Sequence, residues 1–478
     1  MATPEGPSSA IDASSVLDML KLAETRVWAR YESSARLACF VGILCAPFSL
    51  AALFWTSPED YPFLSSMLWV PAVICGCILL VNSLWREDRF ARLLFGAGIA
   101  VRLAAAGAFV WIGFYVYHTV VDSFHYWTVG YERAAEFSAL GWAAFPPPYS
   151  STNLIPNVCG VIMLVTGNAL PTLCVIFAFA ALWGGYFFYR AFCLAFPQGN
   201  RGLYGLLVVL LPSILYWSSA PGKDALAQLF IGISAYGFAK VVKQVDLSAI
   251  LTSIVGIAGI GVVRPHVGGL LATSMLVPFA FGKIKGGWMS TSAKILLLPF
   301  LAAATVYMVS EAGSFVRMES LDFESAQHNV DLISKVNQLG GSSIEAGESL
   351  PRRVVEAPFL IFRPFPWEAN NLMAALSSIE GIALFVLAYR ARWDLWNLAR
   401  RWREAYVGFL LLFSLQFCVI FSAASGNLGS LARERVMLLP LVLMLFCARL
   451  PAREMVAEPL ARRDSWFRTQ LPLPRLGR

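Results

Sequence analysis

Five groups of ionisable and aromatic residues in this sequence could carry out chemistry on an anionic substrate. Each group stands near the end of an apolar segment, and together they supply five strong cations, Lys223, Arg264, Arg363, Arg433 and Arg435. A guanidinium matches phosphate oxygens with a planar fork, and an ammonium acts as a compact point charge. The cations therefore predict binding of a phosphate or diphosphate, whose charge they would stabilise as it leaves.

Carboxylates and histidines accompany these cations. Asp122 and Glu132 are the candidates for catalytic groups, because a carboxylate can serve as the general base for an acceptor hydroxyl. Roles in binding the substrate and its phosphate are expected for His125, Lys223, Asp224, Arg264, His266, Arg363, Glu368, Arg433 and Arg435. We assign no metal ligands, and the nine cysteines show no metal-ligand spacing.

Each group also has a purely structural explanation. Lys223 and Asp224 could pair across a tight turn, Arg264 could extend to the membrane interface, and the segment 363–368 could be an aromatic anchor. Glu380, inside an apolar segment, is expected to be a hydrogen-bonding partner between helices. A shared site is favoured because all five groups are predicted to lie on the same side of a membrane.

The composition is typical of a membrane protein. Apolar residues make up 58% of the 478 positions and charged residues only 14%, whereas a soluble domain has about a quarter charged residues. The net charge of +7 comes from short basic clusters between apolar segments. Such clusters are topology signals, so we expect no binding of nucleic acid.

We predict an all-α, polytopic helical membrane protein with about twelve transmembrane helices, since a span needs roughly 20 apolar residues. The predicted spans are 38–56, 64–84, 94–117, 171–190, 203–219, 225–241, 247–263, 267–283, 292–311, 371–389, 405–423 and 434–449. With a cytoplasmic N-terminus, 26 of the 37 Lys and Arg residues lie in cytoplasmic segments, ten lie on the opposite side and Arg102 lies within a span. This distribution follows the positive-inside rule and puts the five polar groups on the non-cytoplasmic face.

The topology predicts three regions. Residues 1–37 form a cytoplasmic amphipathic segment, residues 38–449 form the multi-span membrane domain, and residues 450–478 form a basic cytoplasmic tail. Two long outer loops, 118–170 and 312–370, belong to the membrane domain. The first contains a short apolar stretch that prolines and glycines interrupt, which we interpret as an interfacial or re-entrant helix.

The order of these motifs resembles bacterial membrane glycosyltransferases of the GT-C type, which use polyprenyl-phosphate-linked sugars. The residues that carry the resemblance, over about 120–440, are Asp122, Tyr126 and Glu132 in the first outer loop, the run from Pro212 to Asp224, and Arg433-Glu434-Arg435 followed by Leu439-Pro440. The resemblance implies that Asp122, with Glu132 second, lies near the acceptor. It also implies that Lys223, Arg264 and the late arginines contact the carrier phosphate.

The sequence departs from the GT-C pattern in two ways. Two further predicted spans precede Asp122, whereas the family usually places its acidic motif directly after the first span. The outer loop also lacks an Asp-x-Asp or Glu-x-Asp pair, so no cofactor is assigned and a divalent cation, Mg²⁺ or Mn²⁺, stays open. The loop 312–370 is instead similar in position to the large outer loops of O-antigen polymerases and ligases, which act on the same lipid-linked glycans.

We therefore expect an enzyme of the bacterial inner membrane, with both termini cytoplasmic, that transfers a sugar or oligosaccharide from a polyprenyl-phosphate-type carrier in cell-surface polysaccharide or glycoconjugate synthesis. Its partners would be a lipid-linked sugar donor, a glycan or lipid-linked acceptor, membrane lipids and an envelope polysaccharide assembly complex.

The alternatives are a polymerase or ligase of lipid-linked repeat units, a transporter of lipid-linked glycans and a non-catalytic envelope assembly protein. A transporter should show charges near the membrane midplane and related halves. Charges near the middle of the predicted spans are nearly limited to Arg102 and Glu380, which favours the enzyme.

Overall fold

The computed structural model describes most of the chain between residues 69 and 449. The described residues are 69–75, 77–78, 89–119, 121–141, 153–281, 288–315, 357–369, 371–424 and 428–449. The predicted span 38–56, most of the span 64–84 and most of the outer loop 312–370 lie outside these residues. The predicted terminal regions 1–37 and 450–478 lie outside them as well.

The described residues are predominantly helical, as the sequence predicts for an all-α protein. The helices are, in chain order, α1 Arg89–Tyr115, α2 Asp122–Leu140, α3 Leu154–Thr166, α4 Leu170–Ala195, α5 Arg201–Leu210, α6 Pro212–Trp217, α7 Lys223–Lys243, α8 Leu247–Val263, α9 Pro265–Phe281, α10 Trp288–Phe315, α11 Leu372–Arg390, α12 Arg392–Arg400, α13 Ala405–Ala424, α14 Leu428–Glu434 and α15 Leu439–Cys447. Short 3-10 helices occur at Ala357–Ile361, Pro366–Glu368 and Arg435–Met437.

Four of the described helices, α1, α4, α7 and α13, are long and apolar enough to cross a membrane. Together, α11 and α12 would make a fifth, although the chain bends by 64° between them. The prediction of an all-helical protein with membrane-spanning helices is therefore supported at this coarser level. Within the described residues, four or five candidate spans replace the larger number expected from the sequence.

Prolines and short helices account for much of the difference. The predicted span 203–219 is divided into α5 and α6 at Pro212, because proline lacks the N–H that continues a helix. The predicted span 434–449 contains an α-helix of only 9 residues after a 3-10 turn. The helices α8 and α9 have 17 residues each and meet at Arg264.

Small residues bring α4, α7 and α8 close together in the core. A Cβ atom added to Gly184 of α4 would lie 2.4 Å from the backbone oxygen of Gln228 in α7. A Cβ atom added to Gly256 of α8 would lie 2.4 Å from the backbone nitrogen of Ser234 in α7. Backbones approach this closely only where side chains are minimal. The packing fixes α7, which carries Asp224 in its first turn.

The segment 118–170, predicted to be an outer loop, contains two packed helices, α2 and α3. A Cβ atom added to Gly130 of α2 would lie 2.6 Å from Cβ of Cys159 in α3. The short helix expected in this segment is present as α3, which has 13 residues and ends at Gly167 with a φ of 73°, a conformation that favours glycine. The sequence analysis did not predict α2, which places Asp122 in its first turn.

Candidate functional site

Ion pairs join residues from four parts of the fold. Arg433 of α14 donates to Asp122 of α2 and to Asp224 of α7, at 2.6 Å in each case. Arg264, between α8 and α9, donates to Asp224 at 2.8 Å and to the two carboxylate oxygens of Glu434 at 2.8 and 2.7 Å. We call these five residues the ionic network. The network joins members of four of the five polar groups that were predicted to lie on one membrane face, and the segment 363–368 contributes none.

Burial differs sharply across the ionic network. The side chains of Asp224 and Arg264 are 2% and 9% exposed, whereas the side chain of Asp122 is 56% exposed. A buried charge is tolerated only when it is paired and hydrogen-bonded, and Asp224 meets this condition through two arginines. Asp224 therefore holds the network together, while Asp122 presents a carboxylate to the surroundings.

The carboxylates keep both guanidinium groups charged. Attraction to Asp224 is the main cause of the raised pKa of Arg433, burial opposes it, and the hydrogen bond to Asp122 raises the pKa further. Burial by itself would lower the pKa of Arg264, but the negative charges of Glu434 and Asp224 outweigh burial and the pKa is raised. Both arginines therefore stay protonated throughout the physiological pH range.

Lys223 and His266 lie beside the ionic network. The ammonium of Lys223 is repelled by Arg264 and Arg433 and attracted by Asp224. Within the part of the chain that the structure describes, Lys223 has no hydrogen bond or ion pair. Burial and the positive charges of Arg264 and Lys223 disfavour protonation of the His266 ring. Lys223 is thus a cation beside the network with no ion pair among the described residues.

In the ionic network, Arg264 and Arg433 are paired with carboxylates of the chain, whereas the sequence led us to expect them free to bind a phosphate. Arg264 and Arg433 share three carboxylates, those of Asp122, Asp224 and Glu434. Two positive and three negative charges leave the five residues of the ionic network with one net negative charge. Arginine binds a carboxylate as readily as a phosphate, and here the protein supplies the carboxylates. Arg264 and Arg433 therefore position carboxylates in this structure, and the contact with a phosphate that the sequence led us to expect stays a prediction.

Arg435 belongs to a second cluster, which is buried. Its side chain is fully buried and donates to Glu380 at 2.9 Å, to a serine hydroxyl at 3.1 Å and to the backbone oxygens of Ile361 and Arg363. Glu380 also accepts hydrogen bonds from the nitrogen and the hydroxyl of Ser213, at 2.8 and 2.7 Å. Glu380 thus connects α11 to α6, the role between helices that the sequence analysis expected. No phosphate is needed to explain Arg435.

Arg363 and Glu368 pair with each other instead of joining the network. The guanidinium of Arg363 lies 2.5 Å from one carboxylate oxygen of Glu368. The other carboxylate oxygen accepts from the backbone nitrogen of Phe365 at 2.8 Å. The exposed ring of Trp367 stacks on Phe365 with 4.9 Å between ring centroids. These contacts agree with the alternative of an aromatic anchor for the segment 363–368.

Glu132 and His125 lie on the exposed surface of α2, apart from the ionic network. Ten residues of helix separate Glu132 from Asp122, which corresponds to about 15 Å along the helix axis. The ring of His125 has its centroid 6.1 Å from that of Tyr126. No hydrogen bond or ion pair among the described residues connects Glu132 or His125 to the network. Glu132 is therefore not placed to act with Asp122 on one substrate atom.

Three residues outside the predicted set support the site. Glu434 is a full member of the network, and the ring of Trp217 lies 5.7 Å from the guanidinium of Arg433. Arg102 of α1 donates to the hydroxyl of Ser218 at 2.5 Å, in the turn that leads into α7. A single charge inside a long apolar segment is costly, and this signal in the sequence points to Arg102.

The described residues contain no group of three or more His, Cys, Asp or Glu side chains that could hold a metal ion. The divalent cation that the family resemblance leaves open thus has no set of protein ligands within the described ranges. In comparisons with known proteins, the chain matches no protein-family model, no curated protein and no solved structure.

Proposed function

We propose that this chain is a membrane glycosyltransferase that moves a sugar or oligosaccharide from a polyprenyl-phosphate-type carrier to a glycan or lipid-linked acceptor. The observation that carries the proposal is the ionic network, in which Arg433 holds the exposed carboxylate of Asp122 beside Lys223, a cation with no ion pair among the described residues. Ionisable residues gathered at the ends of apolar helices are costly and are usually functional. A carboxylate next to an available cation suits proton transfer beside a phosphate.

The depth of the network suits a substrate with a lipid tail. Gly184 of α4 contacts α7 at about residue 230, and Phe187 lies beside Tyr236 with 5.8 Å between ring centroids, so the two helices run in the same direction. At 1.5 Å per residue, Asp224 then lies about 9 Å from the contact and Leu170, at the start of α4, about 21 Å. The network is therefore recessed by about 12 Å from the end of α4. A carrier phosphate reaches this depth while its tail stays among the apolar helices.

The proposed reaction assigns one task to each group. The hydroxyl of the acceptor gives its proton to Asp122 as its oxygen bonds to the anomeric carbon of the sugar. The bond between that carbon and the carrier phosphate oxygen breaks, and the departing phosphate keeps the electron pair. Lys223 stabilises the charge of this phosphate. Arg433 and Arg264 act indirectly, because they fix Asp122 and Asp224.

The proposal places the site on the non-cytoplasmic face of a bacterial inner membrane, with both termini cytoplasmic. The distribution of basic residues supports this orientation, with 26 of 37 Lys and Arg residues in the predicted cytoplasmic segments. A topology of about twelve spans also belongs to the proposal. It would require the shorter and broken helices, together with residues outside the described ranges, to complete the remaining spans.

The decisive variant is Asp122→Asn, which keeps the size of the side chain and removes its basicity. Cells that carry this variant should lose extension of the surface glycan while protein level and membrane insertion stay normal. Glu136→Gln is the matched control, because Glu136 lies on the same helix and pairs only with Arg133 among the described contacts. Wild-type glycan from Asp122→Asn would overturn the catalytic role and favour a non-catalytic assembly protein.

A further inference from the structure

The end of the helical bundle opposite to the ionic network carries a surface of paired tryptophans and arginines on α12 and the turn after it. Trp393, Trp396 and Trp402 are 68%, 55% and 55% exposed. Each ring has a guanidinium within 5.4 Å of its centroid, in the pairs Arg392 with Trp393, Arg400 with Trp396 and Arg403 with Trp402. We call these six residues the Trp–Arg surface.

The position of α12 turns this surface outward. The helix bends by 64° from α11, and Leu398 is buried on its opposite side, where α12 packs on α15. The exposed apolar side chains of α11, among them Phe385 and Tyr389, lead directly to Trp393. The Trp–Arg surface therefore continues the exposed apolar surface of α11 and begins where that helix ends.

The residue types match the boundary between lipid tails and headgroups. Indole rings concentrate at this boundary because one edge is polar and the body is apolar, and arginine extends its charge toward the headgroups. The segment 390–404 contains five arginines against two carboxylates, Asp394 and Glu404. This excess of positive charge attracts negatively charged headgroups.

We propose that the Trp–Arg surface binds anionic phospholipid, with the phosphates on the arginines and the indole rings at the start of the acyl chains. The inference is independent of the proposed function, because none of the six residues belongs to the ionic network. The segment 450–478 of the same chain is a poor alternative occupant of the Trp–Arg surface. It has six arginines and three carboxylates, so its net charge is positive, like that of the surface. Charge complementarity therefore selects the lipid.

Native mass spectrometry of the purified full chain can test this proposal by titration with phosphatidylglycerol and, separately, with phosphatidylcholine. We expect the wild-type chain to bind the anionic lipid about tenfold more tightly than the zwitterionic lipid. The double variant Arg400→Gln/Arg403→Gln should bind phosphatidylglycerol about fivefold more weakly, with phosphatidylcholine binding unchanged. Added glycerol phosphate should not compete, because it lacks the acyl chains that the indoles contact.

Two further variants separate local binding from a general effect of charge. Arg201→Gln/Lys243→Gln removes the same charge from exposed residues at the same end of the bundle, and it should leave phosphatidylglycerol binding unchanged. Arg400→Lys/Arg403→Lys keeps the charge but loses the planar groups that stack on the indoles, so it should bind phosphatidylglycerol more tightly than the glutamine variant. Equal affinity for both lipids, or equal weakening in the control pair, would overturn the proposal. A lysine variant as weak as the glutamine variant would do the same.

Discussion

Arg433 bonds to Asp122 at 2.6 Å, although 311 positions separate the two residues in the chain. The same guanidinium also bonds to the buried Asp224 at 2.6 Å. One arginine from the C-terminal part of the fold therefore connects helix α2 to the start of a candidate membrane span. This contact makes α2 part of the site and gives Asp122 a defined position despite its exposure.

The two carboxylates on Arg433 should differ in their effect on stability. Asp122→Asn removes a partner that is 56% exposed, and exposed ion pairs contribute about 0–1 kcal/mol. Arg433→Gln also removes a partner from Asp224, which is 2% exposed, and breaking a buried pair costs about 3 kcal/mol or more. Thermal unfolding of the purified chain should therefore show a small shift for Asp122→Asn and a large one for Arg433→Gln. Equal shifts would contradict the assigned roles.

This difference makes the activity test of Asp122 interpretable. A variant that unfolds would lose glycan extension for a trivial reason, whereas Asp122→Asn is expected to stay folded. The control is the unfolding midpoint of the same preparation used for the activity measurement.

Lys223 should dominate the affinity for a carrier phosphate. A charge-assisted hydrogen bond contributes about 1.5–3 kcal/mol, so Lys223→Ala should weaken binding of a polyprenyl phosphate at least about tenfold. Binding to the purified chain in detergent can be measured by titration. Lys243→Ala is the control, because Lys243 ends the same helix on its far side. If Lys223→Ala leaves the affinity unchanged, Lys223 does not bind the carrier phosphate.

The buried pair of Arg435 and Glu380 should respond as a unit. Glu380→Gln leaves a fully buried guanidinium without its counter-charge, and such a change costs about 3–5 kcal/mol. The double variant Arg435→Met/Glu380→Met removes both charges. Its unfolding midpoint should lie above that of the less stable of the two single variants, Arg435→Met and Glu380→Met. Loss of stability equal to the sum of the two single variants would show that the residues act independently.

Phosphate binding offers a separate check on this second cluster. Because Arg435 is saturated by Glu380, a serine and two backbone oxygens, any folded variant of the pair should keep its affinity for polyprenyl phosphate. Titration of the double variant with polyprenyl phosphate measures this affinity directly. A weaker affinity would indicate that Arg435 contributes to the substrate site.

The composition and apolar periodicity were sufficient to predict helices and a membrane location. Helix formation is local, and a run of apolar residues has the same low affinity for water wherever it stands in the chain. The number of spans was not predictable in this way. Pro212 divides one predicted span into two short helices, and α8 and α9, at two other predicted spans, have only 17 residues each, so apolar length alone overestimates the helices that can cross.

The candidate site was predicted in part. Clustering of ionisable residues at the ends of apolar segments drew attention to Asp122, Lys223, Asp224, Arg264 and Arg433, which the structure brings together. It also drew attention to Arg363, Arg435 and Glu132, which lie elsewhere. Sequence position could not separate these sets, because the separation depends on which carboxylate each cation meets.

The sequence by itself determined the types of residue, their local helices and the charge that each segment carries. Only the tertiary structure decided that Arg264 and Arg433 bind carboxylates of the chain itself and that Lys223 has no such partner among the described residues. The physical reason is that an ion pair depends on distance in space, and a buried cation takes the nearest carboxylate that can satisfy it. Partners 40, 170, 209 and 311 positions apart meet only after the helices have packed.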